Sequence, residues 1–252
     1  MTAAQPGWGA FREEQADLPT GRLTYHRGGA GRPLVYLHSA GGPRLSPVLE
    51  GLAARHEVHA LTAPGFAGTG RHAGIDDIAG LAELVGAFIR GRFSEPVDVM
   101  GESFGGWLAM RVALRFPELV DHLVLEAPAG LRDSAPGAPP PVFARPERAP
   151  GPGPHQEANA AAYASYGGGR IDEWLADRLE QIEARTLVLL GTEDQRIPAE
   201  NVRRIKAALP HCHLTYVYGG GHGLEYDEPG KVLRLVGDFL ERGEAFVVPV
   251  AP

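Results

Sequence analysis

The stretch Val97–Met110, VDVMGESFGGWLAM, passes from strand to helix with no loop between them. Strand-forming residues run into Gly-Glu-Ser-Phe-Gly-Gly, and helix formers follow at once. So sharp a corner takes the backbone through a conformation that crowds side chains, and glycines at 101, 105 and 106 relieve that crowding. Ser103 is left at the apex, its hydroxyl above the end of the strand. The N–H of Phe104 points to the same place, at a helix amino end whose dipole favours negative charge. This geometry suits a nucleophile that develops an oxyanion beside it.

The rest of the chain repeats the strand-then-helix rhythm. Gly21–His26 and Pro33–Leu37 read as strands around the glycine-rich turn Gly28–Gly31, with the spacing of a hairpin. Leu45–Arg55 has helical spacing, Glu57–Leu61 is a short strand, and Ile75–Ile89 is an amphipathic helix with Asp76 or Asp77 as N-cap. Val97–Met100 is a strand, Ser103–Phe116 a helix and Leu123–Leu125 a strand. Further on, Thr186–Leu190 is a buried strand, Pro198–Ala208 a helix, His213–Val217 a strand and Glu228–Glu241 a helix. Strands alternating with helices predict a mostly parallel sheet covered on both faces, an α/β fold.

One region breaks the rhythm. Residues 135–154, APGAPPPVFARPERAPGPGP, hold too much proline and glycine for a regular element. Two short helical patterns follow, His155–Tyr166 and Ile171–Ile182, split by Gly167–Gly169. Because the strand spacing then resumes, residues 131–180 are expected to form a short lid inserted into a core made of 1–130 and 181–252. Ala135–Pro154, with little apolar surface to pack, is expected to be mobile. Tyr163, Tyr166, Trp174 and Leu175 are expected to cover the site, the three aromatics as substrate-binding residues.

Charge and cysteine content exclude several classes. The net charge is −7 and the isoelectric point near 5.8, which offers no basic surface for nucleic acid or anionic lipid. Cys212 is the only cysteine, so neither an intrachain disulfide nor a thiolate zinc cluster can form; an inert buried thiol is expected there. MTAAQPGWGAFREEQADLPTG lacks a basic start followed by an apolar core, and no apolar run approaches the roughly 18 residues of a membrane span. A cytoplasmic location is expected.

A serine hydroxyl needs a base, and the base needs an orienting acid. Both belong on loops after later strands, in the order serine, acid, histidine. Gly191-Thr-Glu-Asp194-Gln-Arg-Ile-Pro198 puts a carboxylate before a proline-started helix. Gly219-Gly-Gly-His222-Gly puts an imidazole on a glycine loop at the sheet's carboxyl end, where ligands of open α/β sheets bind.

These features together resemble the α/β-hydrolases, from about Gly21 to Glu241, in LVYLHSAGG, PGFAGTG, GESFGG, LLGTEDQRIP and GGGHG. The resemblance implies Ser103 as nucleophile, His222 as general base and Asp194 as orienting acid. It also implies a second oxyanion donor in the loop after Leu37, by position the N–H of Ala40, joining that of Phe104. Relatives usually carry His-Gly-x where this chain has His38-Ser39-Ala40; Ser39 could add a hydroxyl and is counted with the substrate-binding residues. His38 reads as a structural hydrogen-bonder.

Other residues have competing readings. Glu193 and Glu126 are alternative acids, and Glu102 reads as a turn residue. His211, Cys212 and His213 suggest a metal, but alternate residues of a strand share a face and two ligands make an incomplete zinc site, so a surface strand is expected. The expected function is hydrolysis of an ester, thioester or lactone through an acyl-enzyme, on a small-molecule substrate and with no cofactor or metal. Carbon–carbon bond hydrolases of the same fold typically carry a tryptophan after the histidine and a larger cap; here Gly223 follows His222. Cofactor-free haloperoxidase or lyase chemistry uses the same triad. A non-catalytic small-molecule receptor is the alternative of another class, although degenerate scaffolds generally lose triad members. A nicotinamide oxidoreductase fails, because HSAGGP lacks the Gly-x-Gly-x-x-Gly spacing.

Overall fold

The apolar runs pair into one eight-stranded sheet in a computed structural model that describes residues 9–131 and 153–247. Its strands are β1 (Arg12–Leu18), β2 (Gly21–Gly28), β3 (Arg32–Leu37), β4 (His56–Leu61), β5 (Val97–Glu102), β6 (Val120–Glu126), β7 (Arg185–Gly191) and β8 (Cys212–Val217). They lie in the order β1-β2-β4-β3-β5-β6-β7-β8. Only β2 runs against its neighbours; from β4 to β8 every pairing is parallel.

The continuous apolar character of the central strands follows from burial on both faces. Val35, Leu37, Val99, Leu123, Leu125, Val188 and Leu190 pack into one core layer. Their neighbours Leu34, Tyr36, Met100, Val124, Leu187 and Leu189 pack into the other. Helices α2 (Ile78–Arg92), α3 (Phe104–Arg115) and α6 (Ala199–Ala208) contribute to the first layer, and α1 (Pro47–Leu52) and α8 (Pro229–Arg242) to the second. Asp77 is the N-cap of α2, its carboxylate accepting the Gly80 N–H at 2.8 Å.

Two expectations are corrected. β2 and β3 are not a hairpin, because β4 lies between them. The glycine turn instead carries the chain against the segment entering β4: Gly29 has φ +78°, and a Cβ there would stand 2.3 Å from the carbonyl oxygens of Ala53 and His56. The partner of β2 in a true hairpin is β1, which the periodicity did not mark. β1 reads REEQADL and is held by charge, with Glu14 accepting from the Tyr25 hydroxyl (2.6 Å), Arg27 (2.7 Å) and Arg92 (3.0 Å). A charged edge strand also discourages pairing with other chains.

The insertion between β6 and β7 holds α4 (Gln156–Ser165) and α5 (Glu173–Ala176); the pattern Ile171–Ile182 resolves into α5 and one 3₁₀ turn, Leu179–Gln181. The stretch Ala135–Pro154, apart from its last two residues, lies outside the described residues. A further short helix, α7 (Leu224–Asp227), precedes α8. Among the described residues no helix is long and apolar enough to cross a membrane.

The close crossing at Gly29 generates a paired test. Gly29→Ala is expected to cost more than about 1–2 kcal/mol, the penalty of a left-handed residue alone, because the added carbon also meets two backbone oxygens. Gly91→Ala, at an open helical position, is expected to gain about 0.4–1 kcal/mol. Thermal melting of the two variants should move in opposite directions; equal shifts would contradict the crossing.

Candidate active site

The corner at Ser103 is strained. Its φ of +53° and ψ of −107° lie where non-glycine residues rarely sit, at a cost of order 1–3 kcal/mol. The surrounding backbone holds it there. The Ser103 N–H donates to the Glu126 carbonyl at 2.8 Å, and the Ser103 carbonyl accepts from Trp107 N–H (3.0 Å) and Ala129 N–H (2.9 Å). Helix α3 starts so close to β3 that a Cβ on Gly105 would stand 1.9 Å from the Leu37 carbonyl oxygen. This approach sets the loop after β3, with Ser39 and Ala40, beside the first N–H groups of α3, which have no intrahelical partner.

The loops after β7 and β8 meet in a similar way. A Cβ on Gly191 would stand 2.1 Å from the Gly220 carbonyl oxygen, and the Glu193 N–H donates to that oxygen at 2.9 Å. The crossing brings His222 over Asp194. His222 Nδ1 lies 2.9 Å from Asp194 Oδ2, and His222 Nε2 lies 3.1 Å from Ser103 Oγ. The other Asp194 oxygen accepts from Arg196 N–H (2.7 Å) and Ile197 N–H (3.0 Å). Burial pushes the Asp194 carboxyl up, but the hydrogen bond and charge of His222 and the two backbone donors outweigh it and hold it below its ordinary value. An ionised Asp194 requires the proton on Nδ1, which leaves Nε2 to accept from the serine hydroxyl.

Neither alternative acid reaches the imidazole: Glu193 is exposed, and both carboxyl oxygens of Glu126 are buried without a partner among the described residues. Glu102 is corrected from a turn residue to the last residue of β5, buried near the Tyr36 hydroxyl. With Glu225 of α7 these two form a group of buried carboxyls under the site. Burial pushes all three up; the charge of His222 and hydrogen bonds from Ser39 and Tyr36 oppose it at Glu102, whereas at Glu126 the neighbouring Glu225 and Glu102 add to it. Glu225 is raised to about 8.

His38 is structural. Its Nδ1 lies 2.7 Å from the Ser39 carbonyl oxygen and its Nε2 accepts the Ala63 N–H at 3.1 Å, while burial lowers its pKa to about 4. Cys212 is buried, its thiol pushed up to about 12. The cluster of metal-type side chains among the described residues is Asp98, Asp121 and His122 rather than His211-Cys212-His213, and Arg32 already spans it with bonds to both aspartates.

The expected substrate-binding residues have different surroundings. The Ser39 hydroxyl is close enough to Glu102 to oppose the upward push of burial on its carboxyl. Tyr163 is half-buried, edge-on to the Phe104 ring at 5.5 Å, whereas Tyr166 is fully buried, stacked on Phe104 at 6.4 Å with its hydroxyl donating to the Pro64 carbonyl at 2.9 Å. Trp174 is exposed, with the guanidinium groups of Arg111 and Arg178 at 4.2 and 5.0 Å from its ring. Asn159 of α4 went unmarked in the sequence, although it shares a helical face with Tyr163 and Tyr166.

A profile of the alpha/beta hydrolase family matches residues 28–235. The chain belongs to this family. The hydrolase is 30% identical to the 2-hydroxy-6-oxo-2,4-heptadienoate hydrolase of Pseudomonas putida, over 85% of this chain and 91% of that one. It is 27% identical to the 2-hydroxymuconate semialdehyde hydrolase of Pseudomonas sp. strain CF600, over 90% and 93%. Among solved structures, a serine hydrolase involved in carbazole degradation superposes with a TM-score of 0.76 at 21% identity, covering 92% of this chain and 99% of that one, which bears on the fold.

The buried carboxyls imply a pH dependence of stability. Glu225 is raised from 4.5 to about 8, so between those values the folded chain keeps a proton that the unfolded chain has released. Its contribution is present in full below about pH 4.5 and is lost as pH rises to about 8. Glu225→Gln removes it and can still accept a bond from Ser46. Thermal melting should show a smaller drop in Tm from pH 5 to pH 8 for the variant than for the wild type. An unchanged or steeper drop would overturn the assignment.

Proposed function

We propose that the protein is a serine hydrolase cleaving an ester, thioester or lactone of a small organic molecule. The observation that carries this reading is the continuous hydrogen-bonded line from Ser103 Oγ through His222 to an Asp194 held ionised. Ser103 attacks the carbonyl carbon while its proton passes to His222 Nε2, and Asp194 stabilises the imidazolium. The oxyanion takes the N–H groups of Phe104 and Ala40. His222 then protonates the leaving group, and a water activated by the same imidazole hydrolyses the acyl-enzyme. The described part of the insertion, 153–180, acts in this reading as a lid, with Tyr163 packed edge-on to Phe104, the residue after the nucleophile. Ser39, Tyr166 and Trp174 complete the substrate-binding residues of this reading.

A second reading is favoured by the identity to the two Pseudomonas enzymes, named as hydrolases of 2-hydroxy-6-oxo-2,4-heptadienoate and of 2-hydroxymuconate semialdehyde. The same triad would then cleave a carbon–carbon bond beside a ketone. Gly223 after His222 supports the ester reading instead. Comparing kcat/KM for p-nitrophenyl acetate and butyrate with that for a 2-hydroxy-6-oxo-dienoate separates the two, the ester reading predicting the higher value for the esters.

Ser103→Ala should abolish labelling by a fluorophosphonate and reduce kcat/KM by at least about a thousandfold. Asp194→Asn should keep the fold, by circular dichroism, and reduce kcat. Undiminished labelling of the alanine variant would remove Ser103 from the nucleophile role. Short p-nitrophenyl esters should be turned over faster than long-chain ones; efficiency rising steadily to palmitate would refute a lid suited to modest acyl groups.

A further inference from the structure

The loop that follows β3 packs Ala40 against the core on one side and borders open space on another. Gly41, Gly42 and Arg44 line a cavity of about 340 Å³, walled on its other sides by residues such as Thr24, Thr62 and His155. None of Ser103, Asp194 and His222 lines this cavity. A loop with space behind it needs fixed polar contacts to hold one path. Within itself it has one turn, Gly42 N–H to the Ser39 carbonyl at 3.0 Å.

Beside the contact of His38 Nδ1 with the Ser39 carbonyl, a further restraint comes from the insertion. Asn159 of α4 is 5% exposed. Its Nδ2 donates to the Gly41 carbonyl at 2.7 Å, and its Oδ1 accepts the N–H of Ala67 at 2.8 Å. Ala67 lies in the loop after β4 and has φ +51°, a left-handed conformation for a residue with a side chain. A Cβ on Gly42 would stand 2.5 Å from Asn159 Nδ2, so the amide sits tightly against the turn. One side chain therefore answers a carbonyl on one loop and an N–H on another. A carboxylate cannot donate to the first, and an apolar side chain can serve neither. A buried amide is costly unless both ends are bonded, so the site is specific for what it holds.

From this geometry we infer that Asn159 is a positioning residue: it carries the insertion's hold on the Ser39–Gly42 turn and thereby sets the Ala40 N–H for the oxyanion. The inference rests on the proposed acyl-transfer reading for its catalytic consequence, and on geometry alone for its hold on the loop. Seating α4 and completing the oxyanion site become one event. With α4 displaced, Gly41 loses its donor and the turn loses its tie to the insertion on the side of the cavity.

Asn159→Asp keeps the acceptor for Ala67 and places a carboxylate oxygen against the Gly41 carbonyl. It is expected to reduce kcat about 10–100-fold, less than the loss of a whole oxyanion donor, with KM changed less than about threefold. Gly42→Ala attacks the same contact from the loop side and should give a similar loss, and the double variant should be no worse than the more severe single. Ser165→Ala, on the same helix but exposed, should leave kcat unchanged. Hydrogen–deuterium exchange reads the hold on the loop without turnover: amides of residues 39–42 should exchange at least about tenfold faster in Asn159→Asp than in the wild type. Unchanged exchange there overturns the inference whatever the activity. Faster exchange with an unchanged kcat, in a wild type whose turnover depends on Ser103, overturns the catalytic role alone. Loss of Ser103-dependent turnover in the wild type itself would count against the acyl-transfer reading, and exchange would still decide the hold on the loop.

Discussion

The amino end of α3 lies in backbone contact with the carboxyl end of β3, and the candidate site is arranged around that contact. Because Gly105 has no side chain, the helix can start against the Leu37 carbonyl, which places the loop carrying Ala40 beside the first free N–H groups of α3. The same crowding makes the strained conformation of Ser103 necessary. Three backbone hydrogen bonds, to Glu126, Trp107 and Ala129, hold that conformation from β6, from α3 and from the segment after β6. The strain is therefore distributed over parallel strands whose register is fixed far from the site. At the opposite ends of those strands Arg32 joins Asp98 and Asp121, and Arg185 joins Asp121 at 2.9 Å.

Carboxyl groups near the imidazole are pushed in opposite directions, because donors and the His222 charge outweigh burial at Asp194 whereas burial prevails at Glu102, Glu126 and Glu225. Asp194 is buried, yet it accepts from His222 and two backbone N–H groups. Glu126 is fully buried and has no donor among the described residues, so burial and the neighbouring carboxyls push it well up. The result is a site with one buried anion, aligned with Nδ1, above a layer of carboxyls that burial drives toward the neutral form. Were those carboxyls ionised together, their charge would favour the imidazolium and take away the base that Ser103 needs. Burial that drives this layer toward the neutral form leaves Asp194 as the carboxylate bonded to the ring.

Much of this arrangement was legible because it depends on backbone constraints that leave a residue pattern. A strand entering a helix at Ser103 demands glycines, and loops that cross at Gly191 and Gly220 demand them again, so the serine, Asp194 and His222 could be placed in order. What escaped depends on contacts distant in sequence. Two strands around a glycine turn look alike whether they pair or are parted by a third, which is why β2 and β3 read as a hairpin. β1 escaped because an edge strand held by ion pairs has no apolar alternation. Glu102 looked like a turn residue because burial of a carboxyl is a property of the layers above and below it. Asn159 sits in an alanine-rich helix, and nothing local tells that its amide faces two loops.

The insertion is attached by buried apolar side chains, Ala162, Tyr166, Leu175 and Leu179, and by polar anchors that give it direction. α4 buries only Asn159 and Ala162, and α5 only Leu175. The polar anchors lie on two sides. Asp172, at the start of α5, accepts from Trp107 Nε1 at 2.6 Å and from the Arg111 guanidinium, and caps α5 through the Leu175 N–H at 3.0 Å. Trp107 and Arg111 are one turn apart on α3, the helix that begins beside the nucleophile. Asn159 grips the loops after β3 and β4 on the other side. Because an amide or carboxylate bonds only in narrow geometries, these two anchors fix the insertion's angle to the elbow more sharply than a greasy contact of the same size could. The insertion is thereby tied to the site from two sides, through α3 at Asp172 and through the loops after β3 and β4 at Asn159.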